Sequence, residues 1–171
     1  GVPLGHEAWS AAQFAVGLFF WPIVHALIAV RLATQGSWPE RLQPAVFIFV
    51  APPSVVGLAF AQFGAHPMLV WGAWGLALFS LLTALTQLRR ILALPFAIPH
   101  WAMSFPLAAF GALTLRLGPT GSAIAGLGIL ALAVASLAIL ALSFATVKGL
   151  RDGTLLAPEP VAAIQPAAAA Q

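Results

Sequence analysis

Charge is scarce in this chain. Of 171 residues only 6% are charged, seven of them basic and four acidic, against about a quarter in an ordinary soluble domain. So few charged groups cannot cover the exterior of a water-soluble globule, which excludes a soluble enzyme. Cysteine is missing altogether, which excludes disulfides, iron–sulfur clusters and thiolate zinc sites. Basic runs are missing as well, none being longer than Arg89-Arg90. The isoelectric point near 11.3 therefore rests on a net charge of only +3. It does not signal nucleic acid, whose phosphates require a dense Lys/Arg stripe. No basic segment precedes the first apolar run, so no signal peptide is read. With Gly1 in first place, the chain reads as part of a longer protein with further helices upstream.

What is present is hydrophobic. The 61% apolar content and the mean hydropathy of +1.01 exclude a disordered chain. Runs near the 20 residues that a bilayer-spanning helix needs predict five spans, at 9–30, 45–63, 68–88, 96–116 and 121–147. The expected fold is thus an all-α, polytopic membrane protein. No ten-residue alternation suggests a membrane barrel. The breaks carry turn residues: Gly36 and Pro39, Gly64 and Pro67, Pro95, and Gly118 to Gly121. Residues 1–149 are expected to form the membrane domain. Residues 150–171, rich in Pro and Ala, are expected to form a disordered cytoplasmic tail. Arg31, Arg41, Arg89, Arg90, Lys148 and Arg151 fall on one side of this five-span layout, and Arg116 alone on the other. The positive-inside rule then places the Gly1 end outside and the C-terminus in the cytoplasm.

Chemistry has few places to reside. The spans hold no Asp, Glu, Lys or Arg except Arg116 at one end, which removes carboxylate proton relays and oxygen-ligand metal cages. Acid–base work would fall to His6, His25, His66 and His100. His25 and His100 lie at similar depth, as two axial haem ligands would, set against the simpler reading of helix-packing histidines. No metal, cofactor or enzymatic activity is expected. In the second span, Pro52 and Pro53 remove two backbone donors and free the carbonyls of Ile48 and Phe49. That predicts a kink, either for packing or to line a watery cavity with Ser54 nearby. In the fourth span, Ala102, Phe105, Ala108, Ala109 and Ala112 share a face. This stripe is either a close-packing surface of small residues or a narrow pore wall with Phe105 as its constriction. Pro106 adds a bend beside the ring. Trp9, Trp38, Trp71, Trp74 and Trp101 read as interfacial anchors, and Gly121, Gly126 and Gly128 as close-packing positions of the fifth span.

Several motifs together resemble the tellurite-resistance/dicarboxylate transporter family, which includes the plant guard-cell slow-type anion channels. Phe47-Ile48-Phe49-Val50-Ala51-Pro52-Pro53-Ser54-Val55 resembles a signature helix of that family. Trp101-Ala102-Met103-Ser104-Phe105-Pro106-Leu107 resembles its Trp-Ala-aromatic-Ser/Thr-Phe-Pro motif, and segments 83–90 and 146–159 fit bacterial members. His100 and Met103 depart from it, standing where relatives often carry a Trp and an aromatic. The resemblance implies ten transmembrane helices in five hairpins around a pore, with this chain supplying the C-terminal five. It implies a homotrimer in the bacterial inner membrane, with the second and fourth spans on the pore-lining ring. It also implies that Phe105 matches the occluding phenylalanine, with Pro52, Pro53, Ser54, Ala102, Ser104, Ala108, Ala109 and Ala112 as wall candidates. The expected function is channel-like passage of small inorganic or organic anions across the lipid bilayer. The alternative is coupled transport of C4-dicarboxylates, tellurite-related oxyanions or sulfite on the same scaffold. A non-transporting assembly subunit is a third reading.

Overall fold

The structure, a computed structural model, describes residues 4–36 and 38–156. Among these residues it is helical, with no strand. The first expected span is α1, Glu7–Gln35. The second combines a 3₁₀ segment, Glu40–Val50, with α2, Ala51–Gln62. The third is α3, Pro67–Leu85, followed by the short α4, Leu88–Ala93. The fourth combines a 3₁₀ segment, Ile98–Met103, with α5, Ser104–Leu117, and the fifth is α6, Ala123–Arg151.

Four helical runs are long and apolar enough to cross a membrane: Glu7–Gln35, Glu40–Gln62, Pro67–Leu85 and Ala123–Arg151. The expected count was five. The difference lies in the fourth stretch: its helical run, 98–117, is long enough, but Pro99, His100, Pro106 and Arg116 make it less apolar than the others, and only its last 14 residues are α-helical. The preceding turns are 3₁₀, because Pro106 has no N–H to give the Ala102 carbonyl and so cannot extend an α-helical ladder backwards.

The same device shapes the second stretch. Pro52 and Pro53 cannot donate to Ile48 and Phe49, yet the Ile48 carbonyl is not left free as expected. It accepts from the Ala51 N–H in the i→i+3 pattern. An eleven-residue 3₁₀ segment is long for its type, and its side chains follow the three-residue period. Pro44, Phe47, Val50 and Pro53 are all buried, and so are His100, Met103, Pro106 and Ala109 in the matching helix. The two 3₁₀ segments pack on one another, and α2 packs on α5. These two composite helices therefore lie side by side along their length.

Hairpins α2–α3 and α5–α6 flank that pair. Gly64 and Gly121, both with positive φ, make their turns. The α5–α6 seam is tight. A Cβ on Gly128 would sit 2.8 Å from the Leu115 backbone N, and one on Gly111 would sit 3.0 Å from that of Leu132. Gly126, by contrast, has nothing within 4 Å. Phe47, Ala84, Ile91, Met103 and Leu142 form one core cluster, and Val50, Ala77 and Phe110 a second.

This topology gathers Arg31, Arg41, Arg89, Arg90, Lys148 and Arg151 at one end of the bundle and leaves Arg116 at the other. At the same end α6 continues to Arg151, and the turn Thr154–Leu156 folds back on Gly149. The rest of the expected tail, 157–171, lies outside the described residues. The outlier is α1, which has no buried residue and touches the bundle mainly through Phe14 against Phe60 and Phe63 and through His25 against Phe49.

Candidate functional site, the open face of the composite helices

Phe105 stands on the outward face of α5, with 61% of its surface exposed. Ala102, Ala108 and Ala112 beside it are half-buried, whereas Ala109 turns inward and is buried. The stripe is therefore three alanines around one ring, with Ala109 at its inner edge. The buried side of α5 is formed by Pro106, Ala109, Phe110, Leu113 and Thr114. Ser104 is half-buried and donates its hydroxyl to the Trp101 carbonyl at 2.8 Å. No charged side chain lies on this face before Arg116 at the helix end.

The residues of the second composite helix sit differently. Ser54 is fully buried, and its hydroxyl donates to the Val50 carbonyl at 2.7 Å. Pro53 is buried as well, while Pro52 is half-buried and borders two clefts beneath α1. Neither cleft is lined by Ala102, Ser104, Phe105, Ala108, Ala109 or Ala112. Within this chain the structure thus gathers the α5 residues on one open face and turns Pro52 toward α1.

Two inter-helix hydrogen bonds hold the Phe105 helix in place. The Trp74 indole N–H on α3 donates to Thr114 Oγ1 at 3.0 Å, and that hydroxyl donates on to the Phe110 carbonyl at 2.7 Å. The Trp101 indole donates to Thr146 Oγ1 on α6 at 3.0 Å, and that hydroxyl donates to the Leu142 carbonyl at 2.8 Å. These give Trp74 and Trp101 a helix-joining role that the expectation of interfacial anchors did not include. Both spend their polar atom inside the bundle, where an unpaired N–H in apolar surroundings is costly. Sequence position near a span end could not show this, because the threonine partners are 40 and 45 residues away. Trp74 also stacks on Phe110, at 6.3 Å between centroids.

The histidines do not converge. His25 lies against the Phe49 ring in the cleft beneath α1, at 4.7 Å between centroids. His100 is buried, with Nδ1 at the Ala97 backbone, and borders a separate cleft with Glu40, Arg41 and Phe96.

Comparison with known proteins adds the remaining observation. Residues 3–147 match a family described as SLAC1, voltage-dependent anion channel. The S-type anion channel SLAH2 of Arabidopsis thaliana is 27% identical over 126 residues, covering 73% of this chain and 24% of the relative. The guard cell S-type anion channel SLAC1 of the same plant is 26% identical over 114 residues, covering 66% of this chain and 20% of the relative. The chain thus spans about a fifth to a quarter of the length of these relatives. No solved structure matches it.

Proposed function

This chain belongs to the voltage-dependent anion channel family, and from that premise we propose that it forms part of the wall of a membrane pore that passes small anions, with Phe105 as the ring that closes it. The observation that carries the reading is the face of α5. A large aromatic ring is left standing in the open among half-buried alanines, with no charge beside it.

A wall of that kind offers an ion only weak stabilisation, which suits passage, since conduction requires release as well as binding. The six basic residues at one end of the bundle raise the local anion concentration at that mouth. The helical run 98–117 is about 30 Å long at helical rise, enough for the hydrocarbon core of a bilayer. Counting it gives five spans. The basic end then faces the cytoplasm of a bacterial inner membrane and the start of the chain faces outside. In the full-length protein a further set of helices closes the pore, in a ten-helix protomer that assembles as a homotrimer. The membrane unit takes in residues 1–149, and α6 with the turn Thr154–Leu156 closes its basic end.

The test is chloride and nitrate flux in proteoliposomes containing the full-length protein or its Phe105→Ala variant, matched for folding and incorporation. The expected result is a rise of about tenfold or more in the variant, equivalent to about 1.4 kcal/mol off the barrier. Unchanged flux in an active protein overturns the assignment of Phe105. Exchange of dicarboxylates without chloride or nitrate flux overturns the channel reading.

A further inference from the structure

The weak attachment of α1 leaves a cleft that the pore reading does not use. Along α1 the half-buried residues form one stripe: Ser10, Phe14, Leu18, Trp21, His25, Ile28, then Arg31 and Leu32. Between this stripe and the helix 40–62 lies a cleft of about 440 Å³. Trp21, Val24 and Ile28 face Leu42, Ile48 and Pro52 across it, and its lining is almost wholly apolar. One turn beyond Ile28, at the basic end of the bundle, Arg31 has its Nη1 buried without any hydrogen-bond partner. Arg31 as a whole is half-buried, and a charged N–H kept from water without an acceptor is unfavourable.

We propose that this cleft holds an acyl chain of an anionic phospholipid whose phosphate is taken by the Arg31 guanidinium. One dimension supports that occupant. From Arg31 to Trp21 is ten residues of helix, about 15 Å, which is the hydrocarbon depth of one leaflet. A free anion would satisfy Arg31 but leave the apolar cleft unfilled. A phospholipid supplies the acceptor and the hydrocarbon in one molecule. Guanidinium suits phosphate because its planar fork presents paired donors. The lipid lies against the helix that Pro52 and Pro53 shape, so the composition of the leaflet at the basic end acts on one of the two composite helices.

The experiment titrates the full-length, delipidated protein with dioleoyl phosphatidylglycerol and dioleoyl phosphatidylcholine and reads bound lipid by native mass spectrometry. Wild-type protein is expected to prefer phosphatidylglycerol by about fivefold, the range of one arginine at an anionic lipid surface, since the phosphate itself is common to both lipids. Arg31→Gln is expected to bind the two lipids equally, Arg31→Lys to keep most of the preference, and Ala45→Trp, which fills the cleft, to lose both lipids at this site. Phosphatidylglycerol brominated on its acyl chains is expected to quench tryptophan emission less in Trp21→Phe than in wild type, a reading that needs no change at Arg31. The proposal is overturned if Arg31→Gln keeps the preference, if Ala45→Trp binds as wild type does, or if glycerol phosphate alone displaces the lipid.

Discussion

Gly126 and Gly128 lie two residues apart on α6, and the structure gives them opposite fates. At Gly126 an added methyl meets nothing within 4 Å. At Gly128 it would stand 2.8 Å from both the backbone N and Cγ of Leu115. The Leu115 side chain can rotate away, but its backbone cannot. To restore ordinary contact near 3.5 Å, α5 and α6 must part by about 0.7 Å. A forced separation of this kind costs about 1–3 kcal/mol, and the loss of close contact along a seam of small residues adds to it. Replacing a helical glycine by alanine returns at most about 1 kcal/mol. Gly128→Ala is therefore expected to destabilise by about 1–2 kcal/mol, and Gly126→Ala to be neutral or stabilising by up to about 1 kcal/mol. Equilibrium unfolding of the full-length protein in mixed micelles, followed by circular dichroism, measures both. Gly111→Ala presses on the same seam from the other helix, at 3.0 Å from the Leu132 backbone N. Paired with Gly128→Ala it should cost less than the sum, because the seam has already opened. Equal effects at Gly126 and Gly128, or strict additivity at Gly111 and Gly128, would refute the packing argument.

Other expectations follow from the polar pairs. Thr114→Val removes the acceptor and leaves the Trp74 indole N–H unpaired, so it should cost about 1–3 kcal/mol of unfolding free energy. Trp74→Phe removes the donor while the Thr114 hydroxyl keeps the Phe110 carbonyl, and should cost less on that account. A larger loss of stability in Trp74→Phe would mean that the ring stack on Phe110 outweighs the hydrogen bond. Ser54→Ala removes a buried hydroxyl that bonds only its own helix. It should lower stability by about 1 kcal/mol and leave anion flux as it is, and a changed flux would show that the hydroxyl turns toward the ion. Thr146→Val should mirror Thr114→Val, because Trp101 depends on Thr146 in the same way.

The apolar runs and their breaks were readable because Gly, Pro and the six basic residues punctuate the chain where the helices turn. That Pro52 and Pro53 disturb the α-helical ladder was readable from their missing donors, and the structure answers with a change of winding at Ala51. Its upstream consequence is written in the spacing Pro44, Phe47, Val50, Pro53, which carries the three-residue period. The open side of α5 was readable as a stripe, but the inward turn of Ala109 depends on how α5 packs against its neighbours. The exposure of α1 could not be read at all. In a membrane, lipid is as apolar as a protein core, so hydropathy does not separate a helix at the centre from one at the margin. Nor does spacing reveal which tryptophan will find a threonine on another helix.

The 3₁₀ segment Glu40–Val50 has the geometry of a screw thread. A 3₁₀ residue advances about 2.0 Å and turns about 120°, whereas an α residue advances about 1.5 Å and turns about 100°. Each residue that changes from one winding to the other therefore shifts everything beyond it by about 0.5 Å and rotates it by about 20°. Over the whole segment this amounts to about 5 Å of travel and more than half a revolution. Pro52 and Pro53 deny the Ile48 and Phe49 carbonyls their α partners, so the thread is locked at the end that joins α2. Rewinding from the Glu40 end would draw the basic residue beside it toward the membrane while the far half of the helix keeps its seat against α5.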